Sequence, residues 1–216
     1  MINILSKENS ILNKFIAELR NIDIQKDSLR FRKNMERIGE IFAYEISKQL
    51  YHSPHKINTP LGVATTNLSD ETIVNATILR AGLPLHQGIL NYFDNAENAF
   101  ISAHREYTEN DSFEIKFGHI SGPSINNKTL ILSDPMLASG ASMLISYNSL
   151  LERGTPTHTH IVAIISSKEG LEYLEKNIDS KNLTIWIGAV DDELSSKSYI
   201  IPGLGDAGDL AYGEKM

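Results

Sequence analysis

The sequence TLILSDPMLASGASMLISYNSLLERG, residues 129–154, predicts a strand, a loop and a helix in immediate succession. The opening apolar run has the length of a buried strand. Four later apolar residues share one helical face: Leu144, Tyr147, Leu150 and Leu151. Gly154 stands where a left-handed residue commonly ends a helix. Small residues at 139–142 therefore open this helix, and its unpaired backbone N–H groups can close around a phosphate.

The same alternation of short apolar runs and amphipathic stretches continues on both sides of this unit. Predicted strands cover residues 73–79, 99–103, 130–132, 161–165 and 183–187, and predicted helices cover 85–93, 143–151 and 171–176. This alternation indicates an α/β fold, a largely parallel twisted sheet flanked by helices. We expect one domain over residues 1–216, with residues 70–190 as its core.

The first 70 residues predict helices followed by irregular structure. Apolar residues recur at helical spacing between residues 10 and 50, which favours two helices. A basic run, Arg30, Arg32, Lys33 and Arg37, is interpreted as a solvated face of the second helix, without chemistry. Residues 51–70 read as a loop with a short hairpin, because Pro54 and Pro60 interrupt longer elements.

Composition excludes several classes of protein. The chain has 216 residues, 41% hydrophobic, with no cysteine and a net charge of -7. Without cysteine there is no disulfide, thiolate metal site or cysteine nucleophile. The negative charge disfavours nonspecific nucleic-acid binding. No apolar run approaches the length of about 18 residues that crosses a membrane, and no secretory signal is seen, so we expect a cytoplasmic protein.

Loops that follow predicted strands are the candidate ligand sites, because ligands bind beyond the carboxyl ends of parallel strands. Asp134 ends one strand and is placed either to accept from sugar hydroxyl groups or, with the serines, merely to cap the helix. Arg80 lies in a glycine-containing turn, residues 78–83, where an arginine is commonly a plain surface residue, although a fixed guanidinium there would also suit a diphosphate. Arg105 ends a further strand, before a polar tip that predicts a flexible β-hairpin.

The segment YIIPGLGDAGD, residues 199–209, holds three closely spaced glycines, Gly203, Gly205 and Gly208. Its backbone is therefore free to approach a ligand closely, and no regular element is expected there.

Several of these strings resemble uracil phosphoribosyltransferases. Residues 134–142, DPMLASGAS, are similar to that family's motif for 5-phosphoribosyl 1-diphosphate (PRPP), DPMLATGGS. Ser139 keeps the hydroxyl of threonine, whereas Ala141 adds a methyl group that would be strained if its φ were positive. The turn at 78–83 and the segment at 199–209 match two further signatures. Pro84 and Leu210 depart from them, Leu210 standing where the family commonly has a basic residue.

The resemblance implies the site residues. For PRPP these are Arg80, Arg105, Asp134, Pro135, Met136, Leu137, Ala138, Ser139, Gly140, Ala141, Ser142 and Asp206. For uracil, read by backbone groups, they are Ile200, Gly205, Asp206 and Ala207. Arg80, Arg105 and Asp206 are the implied catalytic residues, and residues 191–216 are the implied uracil-binding segment.

The resemblance also implies the fold and the partners. It implies the type I phosphoribosyltransferase fold, with N-terminal helices and a flexible hairpin as a hood. Mg²⁺ would be bound mainly through PRPP, without a metal site of the protein itself. A GTP effector and a homodimer or larger homo-oligomer are implied, without nucleic-acid or membrane partners. Two alternatives stay open: a noncatalytic sensor of PRPP or UMP, and a phosphoribosyltransferase for another base.

Two histidine pairs are not assigned to metal binding. His52 and His55, and His158 and His160, lack the third ligand that a zinc site needs. We interpret His158 and His160 as hydrogen-bonded surface residues and Trp186 as part of the sheet core.

Overall fold

The computed structural model describes residues 1–107 and 113–214, without the side chains of residues 103–117 and Ser180. Its main sheet follows the spatial order β1 (Ile2–Ile4), β10 (Leu183–Asp191), β9 (His158–Ser167), β7 (Thr129–Ser133), β4 (Ile73–Leu79), β5 (Glu97–Tyr107) and β6 (Phe113–Ser121). Neighbours pair in parallel except β5 and β6, which are antiparallel. The short β8 (Met136–Leu137) pairs in parallel with β9.

Helices cover both faces of this sheet. They are α1 (Ile11–Arg20), α2 (Ser28–Ser47), α3 (Leu83–Leu90), α4 (Ala141–Leu151), α5 (Lys168–Asn177) and α6 (Ala207–Tyr212), with single 3-10 turns at Leu5–Lys7 and Ser180–Asn182. Side chains of α1, α2, α3 and α6 share a buried cluster with Ile131, Val162 and Trp186. The alternate residues Leu130 and Ile161 face the other way, in the cluster that includes side chains of α4 and α5. This is the period-two alternation expected of strands covered on both faces.

The predicted fold class is confirmed. The parallel core sheet, the flanking helices and the two N-terminal helices all form, and the β5–β6 hairpin continues from the sheet edge. Its predicted flexible tip at 108–112 lies outside the described residues. Among the described helices, none combines the length and apolar character needed to cross a membrane.

The short hairpin predicted within residues 51–70 forms, but it is longer than expected and takes up most of the predicted loop. Two seven-residue strands, β2 (Ser53–Thr59) and β3 (Gly62–Leu68), pair with each other in a separate two-stranded sheet. Pro54 lies inside β2 and Pro60 in the turn. A two-stranded ribbon has only edge strands, where proline is tolerated because its missing N–H leaves no neighbour unpaired.

The predicted helical face of α4 is partly wrong. The side chains buried in this helix are Met143, Ser146 and Leu150, whereas Leu151 is exposed. The helix ends at Leu151, and Gly154 has a φ of +135°. A Cβ atom there would lie 2.7 Å from the backbone nitrogen of Asn126, so close packing also requires this glycine.

Candidate active site

The predicted phosphate loop lies at the carboxyl edge of the sheet, between β7 and α4. The backbone N–H of Asp134 donates to the carbonyl of Val162, and the carbonyl of Pro135 accepts from Ile164 and Ile165. The Asp134 carboxylate accepts from the backbone N–H of Met136 at 3.3 Å. The backbone bonds of Asp134 and Pro135 to β9 hold the first half of the loop in an extended path beside the sheet.

The second half of the loop is held by the start of α5. The Ser167 hydroxyl donates to the carbonyl of Ala138 at 2.6 Å and accepts from the backbone N–H of Gly170 at 2.8 Å. Gly140 has a φ of +81°, and a Cβ atom there would lie 2.9 Å from the carbonyl oxygen of Gly170. Glycine at 140 is therefore required both by conformation and by packing.

Helix α4 begins at Ala141, directly after Gly140, and no described side chain caps it. Ser139 and Ser142 are half-buried beside this first turn. The left-handed residue is Gly140, and Ala141 has an ordinary helical conformation. The strain considered for the alanine at 141 is therefore absent.

The turn with Arg80 joins β4 to α3. Gly82 precedes α3, which likewise has no side-chain cap among the described residues. A Cβ atom at Gly82 would lie 2.0 Å from the Thr77 hydroxyl oxygen, so the turn closes only with glycine. Pro84 stands in the first turn of α3, where proline fits because its missing N–H has no helical partner. The two uncapped helices are thus the two at predicted phosphate-binding turns, whereas α1, α2, α5 and α6 have side-chain caps.

Arg80 connects this turn to the C-terminal segment. Its Nη2 atom lies 3.1 Å from Oδ1 of Asp209 and 3.3 Å from the carbonyl oxygen of Gly213. The side chain of Arg80 is 37% exposed and that of Asp209 is 34% exposed, so solvent and an incoming anion can reach the pair. The predicted diphosphate turn and the predicted base segment are therefore in direct contact.

The C-terminal segment is more regular than the sequence predicts. Ile200–Ile201 form β12, which pairs with β11 (Glu193–Leu194), and α6 begins at Ala207. Oδ1 of Asp206 caps this helix by accepting from the backbone N–H groups of Gly208 and Asp209 at 2.8 and 3.0 Å. An aspartate at the position before a short helix is a strong capping signal that the glycine content hides.

The predicted uracil residues lie together in this segment. The side chains of Ile200 and Ala207 are buried in the core, so they present mainly backbone to a ligand. Gly205 is exposed, with a φ of +92°. Leu210 packs against the core, and its backbone N–H bonds to the carbonyl of Asp206.

Three residues that the sequence analysis missed hold the two loops. Ser167 fixes the phosphate loop, and an ion pair between Arg20 and Asp191 holds Gly203 of the base segment. Asp191 is the register partner of Ser167 on neighbouring strands, so the two loops are anchored side by side. Asp191 could have been found because it lies shortly after the predicted strand 183–187, but nothing local in the sequence marks Arg20.

Arg105 lies on β5, with its backbone in register with Ile115 of β6. Its side chain lies outside the described residues, so its predicted contact with PRPP stays a prediction.

The basic run on α2 is largely solvated, as interpreted, but two of its arginines also bond to neighbouring helices. Arg30 forms a two-point pair with Glu18, at 2.8 and 3.0 Å, and this pairing lowers the pKa of Glu18. Arg32 donates to the carbonyl of Ala211 at 2.6 Å and lies over the ring of Tyr212. The run therefore joins α2 to α1 and α6, because both neighbours present acceptors to it.

The interpretation of His158 and His160 as hydrogen-bonded surface residues is right about the hydrogen bonds but wrong about the position of His160. His160 is buried and accepts a hydrogen bond from the indole N–H of Trp186, and His158 lies against the Thr184 hydroxyl at 2.9 Å. Trp186 is buried in the sheet core, as predicted. Across the described ranges, no three His, Asp or Glu side chains converge as a metal site.

Comparison with solved structures identifies the fold. A hypoxanthine phosphoribosyltransferase from Staphylococcus aureus shares this fold, with a TM-score of 0.51 at 13% identity over 76% of each chain. A solved Aquifex aeolicus protein is more similar, with a TM-score of 0.87 and 30% identity over 99% of this chain and 98% of that one. The fold is that of the type I phosphoribosyltransferases.

Sequence comparison identifies the family. The model of the uracil phosphoribosyltransferase family matches residues 6–214. A uracil phosphoribosyltransferase of Porphyromonas gingivalis is 51% identical over 212 residues, which are 98% of each chain. The chain belongs to the uracil phosphoribosyltransferase family, whose members are pentosyltransferases.

Proposed function

We propose that this protein joins uracil to PRPP, forming UMP and diphosphate in pyrimidine salvage. One observation carries the proposal beyond family membership. The phosphate loop and the base segment are anchored to neighbouring strands β9 and β10, and Arg80 bridges the diphosphate turn to the base segment. A nucleotide spanning these loops would place its phosphate, sugar and base in the required order.

The two uncapped helix starts would bind the phosphate groups. Backbone N–H groups at the start of α4, with the Ser139 and Ser142 hydroxyls, suit the 5′-phosphate of PRPP. Those at the start of α3, with Arg80, suit the diphosphate. Pro135, Met136, Leu137, Ala138, Gly140 and Ala141 shape the loop through their backbone, and Asp134 would accept from the ribose hydroxyls.

The base would be read by backbone groups of the C-terminal segment. Uracil offers two carbonyl acceptors and one N3–H donor, which N–H and C=O groups near Ile200, Gly205 and Ala207 can pair without a charged side chain. Cytosine would leave a buried donor unpaired, so the site would reject it.

The reaction needs no covalent nucleophile. The C1′–diphosphate bond breaks as uracil N1 bonds to C1′, the N1 proton is lost, and diphosphate departs with the bonding electrons. Arg80 and Arg105 would stabilise the charge that grows on the departing diphosphate. Asp206 already uses Oδ1 for capping, so a contact with uracil, as orienting group or proton acceptor, falls to Oδ2.

Magnesium would enter with PRPP. An ion held mainly by the oxygens of PRPP would need no ligand cluster of the protein itself. When bound there, Mg²⁺ would neutralise part of the diphosphate charge.

Turnover of labelled uracil with PRPP and Mg²⁺ tests the proposal. We expect UMP and diphosphate in equal amounts, with cytosine, hypoxanthine and orotate unable to compete. Binding of PRPP or UMP without turnover would support the sensor instead. Turnover of another base in preference to uracil would support the second alternative.

Further predictions concern organisation and assembly. Residues 1–50, 70–190 and 191–216 would act as one domain, in the cytoplasm, with GTP as a possible effector. A homodimer or larger homo-oligomer is supported by the β2–β3 hairpin, whose strands pair only with each other in the described structure. Its apolar side chains are exposed: Ile57, Leu61, Val63 and Leu68.

A further inference from the structure

An ion pair joins the end of α1 to the end of β10 beside the base segment. Arg20 Nη1 donates to Asp191 Oδ2 and Nη2 to Oδ1, both at 2.7 Å. Asp191 is buried, with 7% of its side chain exposed. Two parallel N–H···O bonds to a desolvated carboxylate make the strongest and most directional form of this interaction.

The same pair holds both polar backbone groups of Gly203. The N–H of Gly203 donates to Asp191 Oδ2 at 2.9 Å, and its carbonyl accepts from Arg20 Nη1 at 3.0 Å. Gly203 has a φ of +55°, and a Cβ atom there would lie 2.1 Å from the carbonyl oxygen of Ile200. The chain path two residues before Gly205 is thus fixed by side chains from two distant elements.

We propose that Arg20 and Asp191 are positioning residues for recognition of the base. They act through Gly203 and hold Gly205 and Ala207 at the position where backbone groups pair with the edge of uracil. This inference rests on the proposed function, which places uracil at this segment. A shift of about 1 Å in such a loop costs a large factor in binding or rate, because hydrogen-bond geometry at the base is lost.

The contacts separate this role from general support of the fold. Arg30 and Glu18 form a second two-point pair, which joins α1 to α2, and within the described structure their side chains bond to each other and to Asn34, not to the base segment. Arg20 and Asp191, by contrast, bond to each other and to Gly203. The phosphate loop is held independently by Ser167. Loss of the Arg20 pair should therefore affect uracil and spare PRPP.

The test compares Arg20→Ala, Arg20→Lys and Asp191→Asn with the matched control Arg30→Ala. The readouts are the KM values for uracil and for PRPP, UMP binding by calorimetry, and thermal stability. For Arg20→Ala we expect the KM for uracil to rise about tenfold or more, with the KM for PRPP changed less than about twofold. Arg20→Lys and Asp191→Asn can each keep one of the two hydrogen bonds between these side chains. Their KM for uracil should therefore lie between that of the wild type and that of Arg20→Ala. Arg30→Ala should lose stability without a change in the KM for uracil.

Two outcomes would overturn the inference. One is an unchanged KM for uracil in all three variants of the pair; the other is an equal rise in both KM values, which indicates general distortion. If Arg20→Ala does not fold, the milder Arg20→Lys and Asp191→Asn decide by the same criterion. Wild-type protein that forms no UMP would refute the proposed function. Wild-type turnover combined with unaffected variants would refute only the positioning role.

Discussion

At the scale of single residues, the phosphate loop depends on where its left-handed residue lies. The family's motif has glycine at two successive positions, and this chain keeps only Gly140. Gly140 takes the positive φ, whereas Ala141 is an ordinary first residue of α4. The chain has therefore replaced the glycine whose special conformation is not used.

Substitution of these neighbours should give opposite results. Gly140→Ala forces a Cβ atom into the left-handed region and against Gly170, at a cost of about 1–2 kcal/mol from conformation alone. We expect the KM for PRPP to rise about tenfold, because the first turn of α4 must move. Ala141→Gly should change that KM less than about twofold, and steady-state kinetics with varied PRPP measures both. A larger gain in PRPP affinity for Ala141→Gly would show that the methyl group does obstruct the phosphate.

Arg80 should contribute to the chemical step more than any other described side chain. Loss of one preorganised donor to a developing charge costs about 10²–10³ in rate. We expect Arg80→Ala to lower kcat/KM for PRPP by about a hundredfold, with partial recovery in Arg80→Lys, which keeps the charge but not two-point donation. Rapid-quench measurement of UMP formation checks this, and a loss below fivefold would remove Arg80 from the mechanism.

At the scale of elements, sequence patterns predicted the strands, helices and loops whose formation depends on neighbouring residues in the chain. The period-two and helical spacings located the core strands and the helices, and the motif strings placed Arg80, Asp134 and Gly205 at one edge. The Arg20–Asp191 pair escaped prediction because its members are 171 positions apart, and only the folded topology brings them together. His160 was misjudged because one histidine on a strand gives no indication of which face is covered. The β2–β3 hairpin was predicted too short because proline is excluded from central strands but tolerated in an isolated ribbon.

The junction of α5 with the phosphate loop gives an element-scale prediction. Ser167 caps α5 and also holds the carbonyl of Ala138, whereas Ser10 caps α1 away from the described loops. Ser167→Ala and Ser10→Ala should each cost about 1 kcal/mol of stability through loss of a cap. Only Ser167→Ala should also raise the KM for PRPP, by about three- to tenfold. Steady-state kinetics and thermal unfolding measure the two effects. An equal KM for PRPP in both variants would mean that the phosphate loop does not need the bond between Ser167 and Ala138.

At the scale of the whole molecule, the β2–β3 hairpin stands apart from the packed sheet. Its exposed apolar side chains would be covered in the predicted homo-oligomer. Leu61→Asp with Val63→Asp should therefore dissociate the assembly, which analytical ultracentrifugation detects. Far-UV circular dichroism should stay unchanged, because both side chains are exposed and outside the core. An assembly of unchanged mass would exclude the hairpin as its contact surface.

Acid stability should depend on His160. Burial, and to a lesser extent the neighbouring His158, lower the pKa of His160 to about 3, against about 6.5 in an unfolded chain. Between pH 6.5 and 3, His160 is therefore protonated in the unfolded state but neutral in the folded state. The free energy of unfolding that neutral His160 contributes is fully present above pH 6.5 and falls by about 1.4 kcal/mol per pH unit as the pH drops toward 3.

Denaturant unfolding between pH 7.5 and 4.5 measures how the free energy of unfolding depends on pH. We expect this slope to be smaller in His160→Gln than in the wild type. That variant should itself be less stable at neutral pH, because Trp186 loses its imidazole acceptor and the glutamine oxygen meets the indole N–H in a different geometry. A His160→Gln slope equal to that of the wild type would show that the pKa of His160 is not lowered in the folded state.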